Sequence, residues 1–210
     1  MEIHAPHGPV KSLREFLVHL AIITIGVLIA LSLEGCTEWV HHRSLVREAR
    51  ANIASELRDN KAEIDRLLSN MSNMGGQLEV ALKVIEELRA RGKTDAKHFS
   101  LTYHMADLTT ASRDTAEATG AFGYMDYAQV KRYAAAYDLQ GQFLRQQERL
   151  FEAWVPVLNA THRKDLEGLT PAELDDWKRQ ALTALSYVQV ESGFATALSR
   201  AYEGALKGED

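Results

Sequence analysis

A single cysteine, Cys36, stands among the 210 residues, so no disulfide can form within the chain and its redox compartment is unreadable. Neither sign of charge dominates. The 24 Lys and Arg are interspersed with 29 Asp and Glu, giving a formal net charge of −5, which excludes the basic stripe of a nucleic-acid binder. No proline or glycine falls between Cys36 and Met74, so no such residue interrupts a helix there. No stretch alternates apolar and polar residues convincingly enough to read as a strand. A GxSxG elbow, a phosphate loop and a Gly-rich dinucleotide turn are also missing. Thr109, Thr110, Ser112 and Asp114 lie close together in sequence, but their spacing defines no base or nucleophile. The expectation is therefore no catalytic residue, no cofactor and no enzyme. Apolar content of 46% with 25% charged residues is that of a folded protein rather than a disordered one.

Only one long apolar run is present. The eighteen residues Phe16 to Leu33 carry no charge, and His19, Thr24, Gly26 and Ser32 are the only interruptions. As a helix the run rises roughly 27 Å, close to the bilayer's hydrocarbon core of about 30 Å. A cleaved signal would need a shorter apolar region and a small-x-small site, and Glu34 fits neither that site nor a lipoprotein junction at Cys36. The reading is an uncleaved anchor, with Cys36 a small interfacial residue. Trp39 falls at interfacial depth, where an amphipathic ring is favoured. Lys11 and Arg14 flank one side of the span, and Arg43, Arg47 and Arg50 the other. The short basic tail favours a cytoplasmic N-terminus with the main domain in the periplasm, although the three arginines pull the other way. His19, Gly26 and Ala30 fall on one stripe with Thr37, and Gly26 and Ala30 make a small-xxx-small pair, a face for helix association.

The remaining residues read as helices. Val46, Ala49, Ile53, Leu57, Ile64, Leu67, Met71 and Met74 recur three or four apart, with Asn60 in the one polar slot. Gly75-Gly76 predicts a turn, followed by a shorter helix through Leu78, Leu82, Ile85 and Leu88 that ends near Gly92. A third helix, rich in Thr and Ser, is expected from about Lys97 to Ala118, with a break at Gly120 to Gly123. Asp126 and Gln129 resemble a capping box opening a fourth helix. Its inner face reads Val130, Tyr133, Tyr137, Gln140, Leu144, Gln147, Phe151, Trp154 and Leu158, with a kink expected near Glu152 from Pro156. Thr170-Pro171-Ala172-Glu173 is a capping box with proline at the first helical position. The last helix then buries Leu174, Trp177, Ala181, Leu185, Val188, Ala195, Leu198, Tyr202 and Leu206.

Asn60, Gln140 and Gln147 sit at seam positions. Buried amides demand partners, so these three either pair across helices or line a small-ligand pocket. His41 and His42 beside Glu38 are the one place a metal comes to mind. Adjacent histidines diverge by about 100° on a helix, and Glu38 with His42 gives too few ligands for a structural site. His98 and His104 also miss helical ligand spacing. His162, with Arg163 and Lys164, reads as a helix C-terminus favoured by the dipole. No metal ligand is assigned.

Two stretches carry a resemblance. Ile22 to His42 (IITIGVLIALSLEGCTEWVHH), with the charged helix RSLVREARANIASELRDNKAEI after it, resembles a group of bacterial single-pass membrane proteins whose domain has no assigned function. Thr115 to Gln140 (TAEATGAFGYMDYAQVKRYAAAYDLQ) is similar to a middle segment of that group. The resemblance implies an anchor and a helical domain, and no activity.

The expected fold is all-α: one N-terminal transmembrane helix continuing into an antiparallel helical bundle of about four to five helices. The expected organisation is a tail over 1–14, a transmembrane helix over 15–35 and a bundle over 36–210. The expected role is a scaffold or interaction protein of the bacterial inner membrane. Its partners would be the lipid bilayer and either copies of itself or another membrane protein, with no nucleic acid. The alternative is a helical sensory, ligand-binding module that signals through a partner.

Overall fold

The computed structural model describes residues 13–95, 100–162 and 165–208. Among these, four α-helices form and no strand: α1 (Leu13–Arg91), α2 (Ala111–Ala118), α3 (Tyr127–Thr161) and α4 (Pro171–Leu206), with a 3-10 turn at Ala121–Tyr124. The chain is all-α, with one long apolar N-terminal helix followed by a helical bundle. It divides into two compact units, Met1–Arg47 and Glu48–Asp210.

In the first unit, α1 presents a surface of large apolar side chains. Leu17, Ile22, Ile25, Leu28 and Leu31 are each about half exposed or more, and no residue of the most apolar 18-residue window is buried. Among the described residues, this is the one helix long and apolar enough to cross a membrane.

The second unit is built on three long helical stretches. Lys61 pairs with Glu203, Asp65 with Ser199, Glu86 with Lys178 and Arg89 with Asp175, so α4 runs antiparallel to α1. Glu56 meets Tyr137 and Asn60 meets Gln140, so α3 runs parallel to α1. A chain leaving α1 must therefore travel back before α3 can begin. Residues 100–110 make that return as an extended strap rather than as a helix. From Asn60 to Gln77 the helix rises about 25 Å, and from Thr102 to Thr109 extended chain covers about 23 Å. Extended backbone thus spans the bundle with fewer than half the residues a helix would need.

Two expectations are corrected here. Gly75-Gly76 is not a turn, because α1 passes through both glycines to Arg91. The apolar stripe stays in phase across them, through Met71, Met74, Leu78, Ala81, Ile85 and Leu88, all buried. A Cβ at Gly75 would come within 3.9 Å of Leu185 Cδ1 of α4. Packing on both sides outweighs the roughly 1 kcal/mol that a helical glycine costs. The expected third helix is also mostly absent. Only Ala111–Ala118 of it is helical among the described residues, because side chains of α1 and α3 take the backbone hydrogen bonds of the strap. Ala96 to Phe99, which include His98, lie outside the described residues.

Helix ends follow the sequence closely. Gly92 takes φ +66° just after α1, and its N–H bonds the Leu88 carbonyl at 2.8 Å. The Asp126 carboxylate accepts the Gln129 N–H at 3.1 Å, while the Gln129 side chain donates to Tyr133. At Thr170 the capping box is complete: Oγ1 accepts the Glu173 N–H at 3.3 Å, and the Glu173 carboxylate accepts the Thr170 N–H at 2.9 Å. His162 caps the C-terminus of α3. That helix is unbroken through Pro156, with Trp154 and Val157 buried on either side.

The inner face of α3 is rotated slightly from the expected stripe. Gln129, Phe143 and Leu150 are buried where Val130, Leu144 and Phe151 were expected, and those three are half-buried or exposed. A stripe of three- and four-residue steps leaves the phase uncertain by one position, and contact with two neighbouring helices selects it.

Candidate functional site

The strap is held in an unusual way. Thr102 N–H donates to Gln77 Oε1 of α1 at 2.5 Å. The Gln147 amide of α3 pairs with Ala106 twice, accepting from its N–H at 2.8 Å and donating to its carbonyl at 3.1 Å. The Asn60 amide of α1 pairs with Thr109 in the same manner, at 3.0 and 2.8 Å. Gln140 Nε2 adds a bond to the Thr109 carbonyl at 3.1 Å. At the end of the strap the Ser112 N–H, in the first turn of α2, donates to Glu56 Oε2 at 2.7 Å. Side-chain amides and one carboxylate thus replace the backbone partners that a helix or sheet would supply.

The register is a consequence of geometry. Gln140 and Gln147 are two helical turns apart, about 10 Å, and Thr109 and Ala106 are three extended residues apart, also about 10 Å. Asn60, Gln140 and Gln147 are buried to within 3% exposure, so each amide needs its partners. Asn60 and Gln140 also meet across helices, Asn60 Nδ2 reaching Gln140 Oε1 at 3.3 Å and Tyr202 Oη donating to the same oxygen at 2.8 Å, whereas the Gln147 amide pairs with the strap backbone at Ala106. The space between the amides is filled by the chain's own backbone.

A carboxylate completes the network. Glu56 is 5% exposed and accepts from Tyr137 Oη at 2.5 Å as well as from Ser112. Burial pushes the Tyr137 and Tyr202 hydroxyls well above the ordinary phenol range, and the Glu56 charge pushes them the same way. Both therefore stay protonated and act as hydrogen-bond donors.

Glu191 of α4 is different. It is fully buried, and neither carboxylate oxygen has a hydrogen-bond partner. Burial pushes its pKa up to about 8. The half-buried Tyr103 of the strap lies within reach of its charge, and its phenol is raised by burial and then by Glu191. Tyr103 packs against Trp154 at 5.6 Å between ring centroids, and the Trp154 indole N–H is likewise buried without a partner. Sequence reasoning missed both Glu56 and Glu191. A signal for Glu191 existed: the stripe of α4 takes one step of seven from Val188 to Ala195, and position 191 is the helical step that fills the gap.

The other candidates stay apart. His19, Gly26 and Ala30 lie exposed on the apolar helix, with nothing within 4 Å of a Cβ built at Gly26. The rings of His41 and His42 are 6.0 Å apart and tilted by 53°. No group of three or more His, Cys, Asp or Glu that could hold a metal ion is brought together among the described residues. Cys36 is a free, exposed thiol. Trp39 carries the Arg43 guanidinium over its ring at 5.2 Å.

Comparison with family models, with curated proteins and with solved structures gave no match.

Proposed function

We propose that this chain is a membrane-anchored helical interaction protein, an accessory subunit or self-associating module of a bacterial inner-membrane assembly. The observation that carries the reading is the wholly unburied apolar stretch of α1, whose leucines and isoleucines have no partner within the described fold. Water would charge about 25 cal/mol for each Å² of that surface, and a bilayer removes the penalty. His19, Gly26 and Ala30 form the face through which a second copy, or another membrane protein, packs against the span. The short basic tail is cytoplasmic in this reading and the bundle periplasmic. The resemblance to bacterial single-pass proteins supports an anchor followed by a helical domain. No catalytic residue, cofactor, metal or nucleic acid is part of the proposal.

The sensory alternative has one observation in its favour, the buried and unpartnered Glu191 beside the strap. A carboxyl that loses its proton near pH 8 in an apolar core is a natural source of a conformational response. In that case the output still passes through a partner.

Gentle extraction of the tagged chain from its native membrane, followed by native mass and identification of retained proteins, tests the proposal. A stoichiometric partner or a homo-oligomer is the expected result. A monomer carrying only lipid, at several protein-to-lipid ratios, overturns it.

A further inference from the structure

The strap is bound almost wholly through its backbone. Thr102, Ala106, Thr109 and Ser112 contribute N–H groups, and Ala106 and Thr109 contribute carbonyls, to side chains of α1 and α3. Of its own side chains three are used: the half-buried Tyr103 packs on Trp154 and donates its hydroxyl to the Gln147 carbonyl at 2.9 Å, beside Leu101 and Ala106. Only Leu101 and Ala106 are buried, at 7% and 3% exposure, while Thr102, Met105, Asp107 and Thr109 face out. A surface that pairs with peptide groups and offers two enclosed side-chain slots and a half-open one for Tyr103 has the anatomy of an extended-peptide site. Main-chain hydrogen bonds supply affinity there, and spaced pockets supply specificity.

From this we infer that the cleft between α1 and α3 is a peptide-recognition groove, which the strap occupies as an internal ligand and which takes an extended segment of a partner protein in its place. The inference names the partner class and rests on the interaction reading above. The chemistry of the partner segment follows from the slots. It carries a large apolar residue at the Leu101 position and, five residues on, a small residue at the Ala106 position, because a longer side chain there would collide with the helices. An aromatic residue with a hydroxyl fits the Tyr103 position, where it meets Trp154 and the Gln147 carbonyl, and the exposed positions are free. Gln77, Gln147, Asn60 and Glu56 then meet the partner's peptide groups in the register they use for the strap.

Exchange is physically accessible because the strap lacks internal hydrogen bonds of its own. An extended segment whose backbone is held by side chains, with one further bond from the Tyr103 hydroxyl to the Gln147 carbonyl, opens without unwinding a helix. Its advantage over a free peptide is its tether, equivalent to an effective concentration on the order of millimolar. A partner presented beside it on the same membrane competes on similar terms.

The test uses the full chain in lipid nanodiscs and a fluorescent synthetic peptide with the sequence Ser100 to Arg113, read by anisotropy. Leu101→Asp with Ala106→Arg evicts the resident strap while leaving the groove residues untouched. This double variant is expected to bind the peptide more than about tenfold tighter than the unaltered chain, whose own strap competes. Adding Asn60→Ala and Gln147→Ala is expected to weaken that binding by more than about tenfold. A peptide with Arg in place of Ala106 is expected not to bind. Thr109→Pro alone, which removes one strap N–H and no groove atom, gives the same comparison in milder form if the double variant does not fold. The inference is overturned if a strap-weakened variant with full helical content binds the peptide no better than the unaltered chain. Equal binding of the Arg-containing peptide overturns it too. Neither failure touches association through the span, which native mass reads separately.

Discussion

Asn60 and Thr109 meet twice, the amide oxygen of Asn60 taking the Thr109 N–H at 3.0 Å and its nitrogen giving to the Thr109 carbonyl at 2.8 Å. One side chain of α1 thus pairs with both backbone polar groups of a strap residue 49 positions away. Removing it leaves a peptide N–H without its partner in a low-dielectric seam, while the carbonyl keeps only Gln140. Asn60→Ala is expected to lower stability by about 1–3 kcal/mol. Denaturant unfolding measures the loss, and amide exchange should show it concentrated in the strap. Protection of residues 101 to 110 unchanged from the parent chain would contradict the assignment.

Glu191 predicts a pH dependence of definite sign. Its folded pKa is about 8, against an ordinary value of 4.5. Between those two values the folded state holds a proton that the unfolded state has released. Stability contributed by this group is thus complete below about pH 4.5 and is lost as pH rises through 8. Glu191→Gln cannot ionise and removes the effect. The stability of the variant relative to the parent should climb across that window and level off above it. Parallel stability curves for the two proteins would exclude a buried, unpartnered carboxylate at this position.

Gly76→Ala tests the continuity of α1. Nothing lies within 4 Å of a Cβ built there, so the added methyl meets no obstacle. In a helix the change is expected to stabilise by about 0.5–1 kcal/mol. In a turn that required a positive φ it would destabilise instead, so a falling denaturation midpoint would restore the turn at Gly75-Gly76.

At the start of α4, Thr170→Ala removes the side-chain half of the capping box. The Glu173 N–H loses its acceptor, and the expected cost is about 1 kcal/mol. Thr170→Ser, which keeps the hydroxyl, should recover most of it. An unchanged midpoint for the alanine variant would mean that the cap contributes nothing to the bundle.

Gly26→Leu fills the close-approach face of the apolar helix and is expected to raise the monomer fraction in lipid. Leu28→Ala, away from that face, should leave the oligomer distribution unchanged. Equal distributions for Gly26→Leu and the parent chain would remove the Gly26 and Ala30 face from the proposed function.

Much of the fold was legible along the chain because its causes are local. The uncharged run from Phe16 to Leu33, the Thr170 and Asp126 caps and the glycines at 92 and 120 act within a turn or two of themselves. The seam amides were legible as anomalies, polar residues in an apolar stripe. Their partner was not, since no periodicity joins Asn60 to Thr109 or Gln147 to Ala106.

Tertiary structure decided the rest. Two glycines that read as a turn became helix because Leu185 and an in-phase apolar stripe hold them there. A Thr- and Ser-rich stretch that read as helix became an extended strap because side chains of α1 and α3 offered its backbone better partners than its own carbonyls. Glu191 is fully buried with neither oxygen partnered, which its place on the α4 stripe alone did not decide. The sequence by itself determined where helices start and which faces are apolar, since those follow from neighbours three or four residues away. Which backbone groups find which side chains is settled only when distant segments share one dry interior, where every polar group must be satisfied or shift its charge.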